Sequence, residues 1–381
     1  MKNVLILYVN RNSGHHIAAL AIKKSIQEQN PTVNARVYDF LAVIHPILDK
    51  VVLNAYLGVV RKTPELWAYL YDNRKVKERL KRLQDAVHKK KLPRLNRLIE
   101  RTKPDAVICT QAYPCGVMAT YKEETGSRMP LISVVTDYFV HSYWIMNGVD
   151  KYIVPSEAVR EKLLSEGILD DRIKAFGIPV LSKFSKFVSK DEARRECGID
   201  TDSQVLLIMG GGSGLLPVKK ILQSLRKMQS KPLIIALTGT NKALYEKLCI
   251  YREKTSSNVM VLSKTSKVDK LMTAADLMIT KPGGLTVTEA IVKKLPMLIM
   301  NPLPGQEVKN TKFLAKNGLA KEVKSISKLP ELVQNFLDDP IRIKEMKSSM
   351  DLFRKPDSSE MIAKMVLGKT FQPCDVPVPV L

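Results

Sequence analysis

Short, continuously apolar runs alternate along this chain with longer stretches whose apolar residues recur every three or four positions. Val4–Val9 is the first run. A turn over Asn10–Gly14 follows, and then Ile17–Gln29, where Ile17, Leu20, Ala21 and Ile26 share one helical face. Ala35–Tyr38, Ala106–Thr110, Leu131–Val135 and Lys151–Val154 continue the series, the second of them introduced by the turn Lys103-Pro104-Asp105. After Gly177-Ile178-Pro179 and a polar stretch from Ser182 to Asp191, a second series begins: Gln204–Met209, Pro232–Leu237, Val259–Leu262, Leu277–Thr280 and Met297–Met300. Runs that are apolar at every position bury both faces, which predicts parallel strands covered by helices on either side. Two such series predict an α/β protein with two doubly wound parallel sheets, joined near Pro179 to Lys190.

The interval Phe40–Lys91 breaks the rhythm. Ala42–Ile47, Val51–Val60 and Leu66–Tyr71 are rich in Leu, Val, Tyr and Trp, and the basic stretch Arg74–Arg101 follows. Within it Val76, Leu80, Leu83 and Val87 recur at helical spacing among Lys and Arg, which predicts a basic amphipathic helix. Such a helix is either a solvated face over its own core or a membrane-surface element beside an apolar groove, and both readings stay open. The tail after Gly368, with Pro373, Pro377 and Pro379, is expected to be disordered.

Composition narrows the class. At 381 residues, 45% hydrophobic and 26% charged, the chain reads as a soluble two-domain protein; disorder, collagen and small disulfide scaffolds are excluded. No apolar run approaches the roughly 18–20 residues that span a bilayer, and the N-terminal run is too short for a signal peptide. Five cysteines without a Cys-x-x-Cys pair suggest neither a disulfide framework nor zinc, so a cytoplasmic location is expected. The formal net charge of +23 predicts a polyanionic contact. Residues 1–180 carry 28 basic and 18 acidic side chains, of which Arg74–Arg101 holds 12 and 3. The N-terminal charge is therefore a patch on a nearly neutral background.

Three turns at carboxyl ends of predicted strands can carry chemistry, because glycines and helix N-termini there face anionic ligands. Asn10-Arg11-Asn12-Ser13-Gly14-His15-His16 lacks both a dinucleotide fingerprint and a Walker lysine, but it places histidine at a helix start. Either histidine can serve as general base near neutral pH, or simply cap the helix. Met209-Gly210-Gly211-Gly212-Ser213-Gly214 offers bare backbone N–H groups to a diphosphate, with a merely tight turn as the bland alternative. Thr280-Lys281-Pro282-Gly283-Gly284-Leu285-Thr286 opens a further helix, on which Glu289 is placed to hydrogen-bond a diol such as ribose. In Pro304-Gly305-Gln306-Glu307-Val308-Lys309-Asn310, amide and carboxylate groups can read sugar hydroxyls.

With these motifs in order, the chain resembles the bacterial processive diacylglycerol glucosyltransferases and plant monogalactosyldiacylglycerol synthases. The residues carrying the likeness are Lys281-Pro282-Gly283-Gly284-Leu285-Thr286-x-x-Glu289-Ala290 with Pro304-Gly305-Gln306-Glu307-x-x-Asn310, the Ser13-Gly14-His15 turn, and Thr136-Asp137-x4-His141-x2-Trp144. The peptidoglycan lipid-intermediate N-acetylglucosaminyltransferase is a more distant relative. The resemblance implies a GT-B architecture, two Rossmann-like domains facing a cleft. It would divide the chain into an acceptor and membrane-binding domain (1–180), a UDP-sugar domain (181–345), a helix crossing back (346–368) and a disordered tail (369–381).

The resemblance also implies roles. His15 would be the base. Gly14, Gly210–Gly214 (Ser213 included), Thr265, Lys281, Gly283, Gly284, Leu285, Thr286, Glu289, Gln306, Glu307 and Asn310 would hold the donor. Asp137, His141 and Trp144 would hold the acceptor. Close relatives often carry His where this chain has Ser213. The implied reaction is an inverting transfer of glucose or galactose from a UDP-sugar to diacylglycerol at an anionic membrane surface, peripheral on the inner face of the cell membrane. No metal or cofactor is expected, since UDP-sugar is a substrate, and glycine N–H groups, a helix dipole and Lys281 can stabilise departing UDP. Transfer of N-acetylglucosamine to a polyprenyl-linked intermediate and UDP-sugar 2-epimerisation are the rivals. A nucleic-acid-binding module is disfavoured: no zinc, helix-turn-helix or aromatic platform supports it. Nothing in the sequence sets the oligomeric state.

Overall fold

The apolar runs become strands of two six-stranded sheets. The computed structural model describes residues 2–44, 91–200, 202, 204–212, 214, 216–255 and 258–368. Ser213, most of the apolar and basic interval (residues 45–90) and the tail from residue 369 therefore lie outside the described residues. The first sheet comprises β1 (Asn3–Tyr8), β2 (Asn34–Asp39), β3 (Ala106–Cys109), β4 (Leu131–Val134), β5 (Lys151–Ile153) and β6 (Ile173–Lys174), in the order β2-β1-β3-β4-β5-β6. The second comprises β7 (Val205–Met209), β8 (Leu233–Leu237), β9 (Val259–Leu262), β10 (Leu277–Thr280), β11 (Met297–Ile299) and β12 (Lys321–Glu322), in the order β12-β11-β10-β7-β8-β9. All neighbouring strands are parallel. The edge strands β6 and β12 have two residues each and follow no apolar run, which is why the pattern does not reveal them.

The chain divides into two compact units. One takes the described residues up to Ser182, with Leu303–Gln306 and the chain from Lys355; the other takes Lys183–Pro302 and Glu307–Arg354. In the first, successive β1 residues serve opposite faces, as the two-residue strand period dictates. Leu5, Leu7 and Val9 join a core with Leu95 and Leu98 of helix Leu92–Thr102 and with Cys115 and Met118 of helix Ala112–Thr125. Val4, Ile6 and Tyr8 join Ala19, Ile22 and Ile26 of helix Gly14–Gln29.

That helix begins three residues earlier than the apolar spacing predicts. Ser13 caps it, its hydroxyl accepting from the His16 N–H at 3.4 Å. Its buried residues are Ala18, Ala19, Ala21, Ile22, Ser25 and Ile26, whereas Ile17 and Leu20 are only half-buried.

Helix Ser358–Leu367 covers the same face of the first unit with Ile362, Ala363 and Val366. Two serine hydroxyls anchor its start: Ser358 Oγ donates to the Gly177 carbonyl at 2.7 Å and Ser359 Oγ to the Val180 carbonyl at 2.6 Å. Gly177 has φ +94°, and a Cβ there would lie 2.6 Å from Lys355 Cβ, so only glycine fits.

Candidate functional site

In open parallel sheets, ligands bind beyond the carboxyl ends of strands where the strand order reverses. In the first sheet that point lies between β1 and β3, and in the second between β7 and β10. The Ser13-Gly14-His15 turn follows β1, and the glycine loop and the Lys281–Thr286 turn follow β7 and β10, at these two places; the Thr136–Trp144 segment follows β4 and Gln306–Asn310 follows β11.

Gly14 and His15 open the helix that follows β1. The His15 ring is partly buried, with Nδ1 2.7 Å from Thr136 Oγ1 in the loop after β4. Thr110, one residue past β3, donates its hydroxyl to the His15 carbonyl at 2.9 Å and fixes the backbone. Burial pushes the imidazole down to about 4, the nearby Thr110 backbone partly opposing the shift, so the ring is neutral at pH 7. His16 points elsewhere: its Nδ1 is 2.8 Å from the Arg11 carbonyl and its ring stacks on Tyr8 at 4.4 Å.

The acceptor-side segment is more buried than a substrate-facing segment requires. Asp137 is 7% exposed, His141 9% and Trp144 1%. Trp144 sits in the core among residues of the helices and strands described above, with its ring centroid 6.1 Å from that of His141. Trp144 therefore holds the loop in place rather than presenting a surface. Thr110 and Thr136 are the additions that sequence reading missed as site residues. The Thr136-Asp137 pair after a strand was the available signal, whereas Thr110 carried none.

In the second unit, Gly210, Gly211, Gly212 and Gly214 follow β7, with Gly211 at φ +73° and Gly214 at φ +59°. A Cβ at Gly214 would lie 2.7 Å from the Thr238 carbonyl oxygen, so position 214 excludes a side chain. Thr240, after β8, braces the loop by donating both its N–H and its hydroxyl to the Gly212 carbonyl at 3.0 Å. Lys281, after β10, comes within 3.1 Å (at Cε) of where a Gly211 Cβ would stand, and its ammonium meets Glu307 Oε1 at 2.6 Å. A cation thus lies against the glycine loop, held by a carboxylate from helix Gln306–Lys316.

Gly283 precedes helix Gly284–Lys293 with no side chain capping it, which leaves its first N–H groups for a ligand. Leu285 is buried, Thr286 half-buried, and Glu289 is 7% exposed. Burial, with Asp269 nearby, pushes the Glu289 carboxyl up to about 8, and Lys183 partly offsets the effect. Lys183 itself pairs with Asp269 at 2.9 Å. At pH 7 the Glu289 carboxyl therefore mostly keeps its proton, with Lys183 and Asp269 as the charges facing it. Lys183 and Asp269 escaped sequence reading because they come from segments 106 and 20 residues away.

Two predicted donor residues have structural duties. Asn310 is fully buried, and its Nδ2 donates to the Pro282 carbonyl at 3.0 Å, bracing the turn that carries Lys281 and Gly283. Thr265 is half-exposed in the loop after β9, where its Oγ1 accepts from the Lys267 N–H at 3.1 Å. Gln306 is half-buried at the start of its helix. Asp200 and Asp202 have Asp-x-Asp spacing but form an exposed turn before β7, with the Asp202 N–H on Asp200 Oδ1 at 3.2 Å. That turn is at the strand end opposite the glycine loop. Among the described residues no group of three or more His, Cys, Asp and Glu is placed to hold a metal ion, and no helix is long and apolar enough to cross a membrane.

Two family models match the chain. The family model described as monogalactosyldiacylglycerol (MGDG) synthase matches residues 15–180, and that of the glycosyltransferase family 28 C-terminal domain matches residues 205–362. The chain is 31% identical over 376 residues to a Bacillus subtilis (strain 168) protein named processive diacylglycerol beta-glucosyltransferase, covering 97% of this chain and 96% of the other. A Bacillus licheniformis protein of the same name is 30% identical over 373 residues, covering 97% and 95%. Among solved structures, Acinetobacter baumannii MurG superposes with a TM-score of 0.62 at 18% identity, covering 96% of this chain and 99% of that one. The MurG likeness identifies the fold as GT-B, and the full-length identity identifies the kin. The chain belongs to the family of the processive diacylglycerol beta-glucosyltransferases.

Proposed function

We propose that this protein transfers a hexose from UDP-glucose or UDP-galactose to diacylglycerol, with inversion at the anomeric carbon. The carrying observation is that one chain bears both a neutral histidine at the β1–β3 switch point and, at the β7–β10 switch point, a glycine loop with Lys281 and a buried Glu289. This is the equipment of a base in one unit and a nucleoside-diphosphate holder in the other. The first unit would take the acceptor and the second the donor.

In this reading the acceptor hydroxyl gives its proton to His15 Nε2 while its oxygen attacks the anomeric carbon from the face opposite UDP. The bond from that carbon to the diphosphate oxygen breaks, and UDP leaves with the electron pair. Glycine-loop N–H groups, the open start of helix Gly284–Lys293 and Lys281 receive the added charge. Glu289 takes the ribose hydroxyls, and Gln306 and Glu307 take the sugar. Glu307 would then exchange part of its bond to Lys281 for a sugar hydroxyl as Lys281 turns toward phosphate. Asp137 and His141 shape the acceptor path, and Trp144 fixes the loop that carries them. The protein would work peripherally at an anionic membrane surface, on the inner face of the cell membrane, drawn there by the basic stretch before β3.

The test is an assay of vesicles containing diacylglycerol with radiolabelled UDP-glucose and UDP-galactose in separate reactions, resolved by thin-layer chromatography. Label should move into a lipid band with at least one donor. Label in neither, with transfer instead from UDP-N-acetylglucosamine to a polyprenyl-linked acceptor, would replace this reading by its rival.

A further inference from the structure

The proton on an imidazole decides which of its nitrogens can act as a base. Two groups near His15 decide it here, the Thr136 hydroxyl and the Thr110 carbonyl. Thr136 Oγ1 lies 2.7 Å from His15 Nδ1 and 3.3 Å from the Thr110 carbonyl oxygen. A carbonyl can only accept, and a hydroxyl has a single proton to give. If Thr136 donates to Thr110, its oxygen must accept from His15, and Nδ1 carries the ring proton. Three atoms then make two hydrogen bonds. If Thr136 instead donated into Nδ1, only one of these two bonds would exist, and the ring proton would sit on Nε2.

We propose that Thr136 is the positioning residue of this site, holding the His15 proton on Nδ1 and leaving Nε2 as the bare nitrogen that receives the acceptor proton. The role of Nε2 rests on the transfer reaction proposed above; the place of the proton does not. Thr136 is 4% exposed, so water does not compete for its oxygen. The Thr110 hydroxyl, on the His15 carbonyl, keeps the ring's own backbone from shifting away from this partner. A threonine also differs from a carboxylate in this place. It selects the tautomer without adding a negative charge that would favour the imidazolium, so the ring stays neutral until the acceptor arrives.

The test uses the full chain labelled with nitrogen-15 histidine at neutral pH. The His15 signal, assigned by its loss in His15→Gln, should show a protonated Nδ1 and a bare Nε2. Thr136→Val keeps the shape and removes the hydroxyl. It should give a mixture of tautomers and a kcat lower by roughly ten- to hundredfold, the usual cost of losing an orienting partner. KM for the UDP-hexose and calorimetric affinity for UDP should be unchanged, and Thr136→Ser should restore both tautomer and turnover. A wild-type ring protonated on Nε2 overturns the proposal, as does a folded Thr136→Val with unchanged tautomer and kcat. If Thr136→Val does not fold, the wild-type and Thr136→Ser spectra still decide. Absence of sugar transfer by the wild type would overturn the reaction and leave the spectra to judge the tautomer.

Discussion

Two adjacent histidines open the first helix, and their neighbours separate them. Consecutive helical residues point about 100° apart, and here one ring meets Thr136 while the other stacks on Tyr8 and meets the Arg11 carbonyl. His15→Ala should therefore lose roughly 10²–10⁴-fold in turnover, the usual contribution of a general base, with UDP affinity near wild type. His16→Ala should cost about 1 kcal/mol of stability through its hydrogen bond and stacking and leave turnover largely intact. Equal kinetic losses in the two variants would move the base elsewhere. Glu289 carries a second residue-scale expectation. Its carboxyl, pushed up to about 8, is mostly protonated at pH 7, whereas ribose hydroxyls bind the ionised form more strongly. UDP affinity measured by calorimetry should rise roughly tenfold between pH 7 and pH 9 and level off above. Glu289→Gln should bind weakly and show no such rise; a flat wild-type profile would remove Glu289 from the ribose. The sign for folding is the reverse. A carboxyl that holds its proton more tightly when folded makes stability fall as pH climbs from its ordinary 4.5 through 8.

At the scale of elements, helix Leu92–Thr102 shows what the described end of the basic stretch does. Leu95, Leu98 and Thr102 are buried, while Arg94, Arg97 and Arg101 are exposed. Arg94 donates to the Ile44 carbonyl, and Arg101 lies 5.7 Å over the Tyr38 ring. The apolar side of this helix is spent on its own core, so any attraction to a membrane here is electrostatic from the outer face. The more N-terminal residues Val76, Leu80, Leu83 and Val87, which suggested an amphipathic face, lie outside the described residues. Basic residues near an anionic surface contribute about 1 kcal/mol each. Reversing Lys89, Lys90, Lys91 and Arg97 to Glu should abolish sedimentation with anionic vesicles at low salt while leaving UDP binding intact. Undiminished sedimentation would leave this stretch as a solvated face.

For the molecule as a whole, the sequence by itself determined the class of fold, two parallel sheets with helices on both faces. A strand buried on both sides must be apolar at every position, and such runs are visible without any knowledge of their partners. The glycine-rich turns were legible for a similar local reason: Gly211 and Gly214 take positive φ values that favour a residue without a side chain, and at Gly214 the Thr238 carbonyl also leaves no room for one. The family, too, was legible, because its motifs recur in order along the chain. Strand order was not. The reversal points between β1 and β3 and between β7 and β10, which place the motifs where ligands bind, arise from pairings over long sequence separations that no local pattern encodes. Nor were the groups that tune the site. Thr136 meets His15 across 121 residues, and Lys183 and Asp269 converge on Glu289 from separate segments. Asn310 matched a donor motif yet braces a turn, and Trp144 matched an acceptor motif yet fills a core. Residue type and spacing state what chemistry a side chain can perform. Whether its polar atoms face solvent, a ligand or a neighbouring carbonyl depends on burial and on partners distant in sequence, and only the tertiary structure decided that.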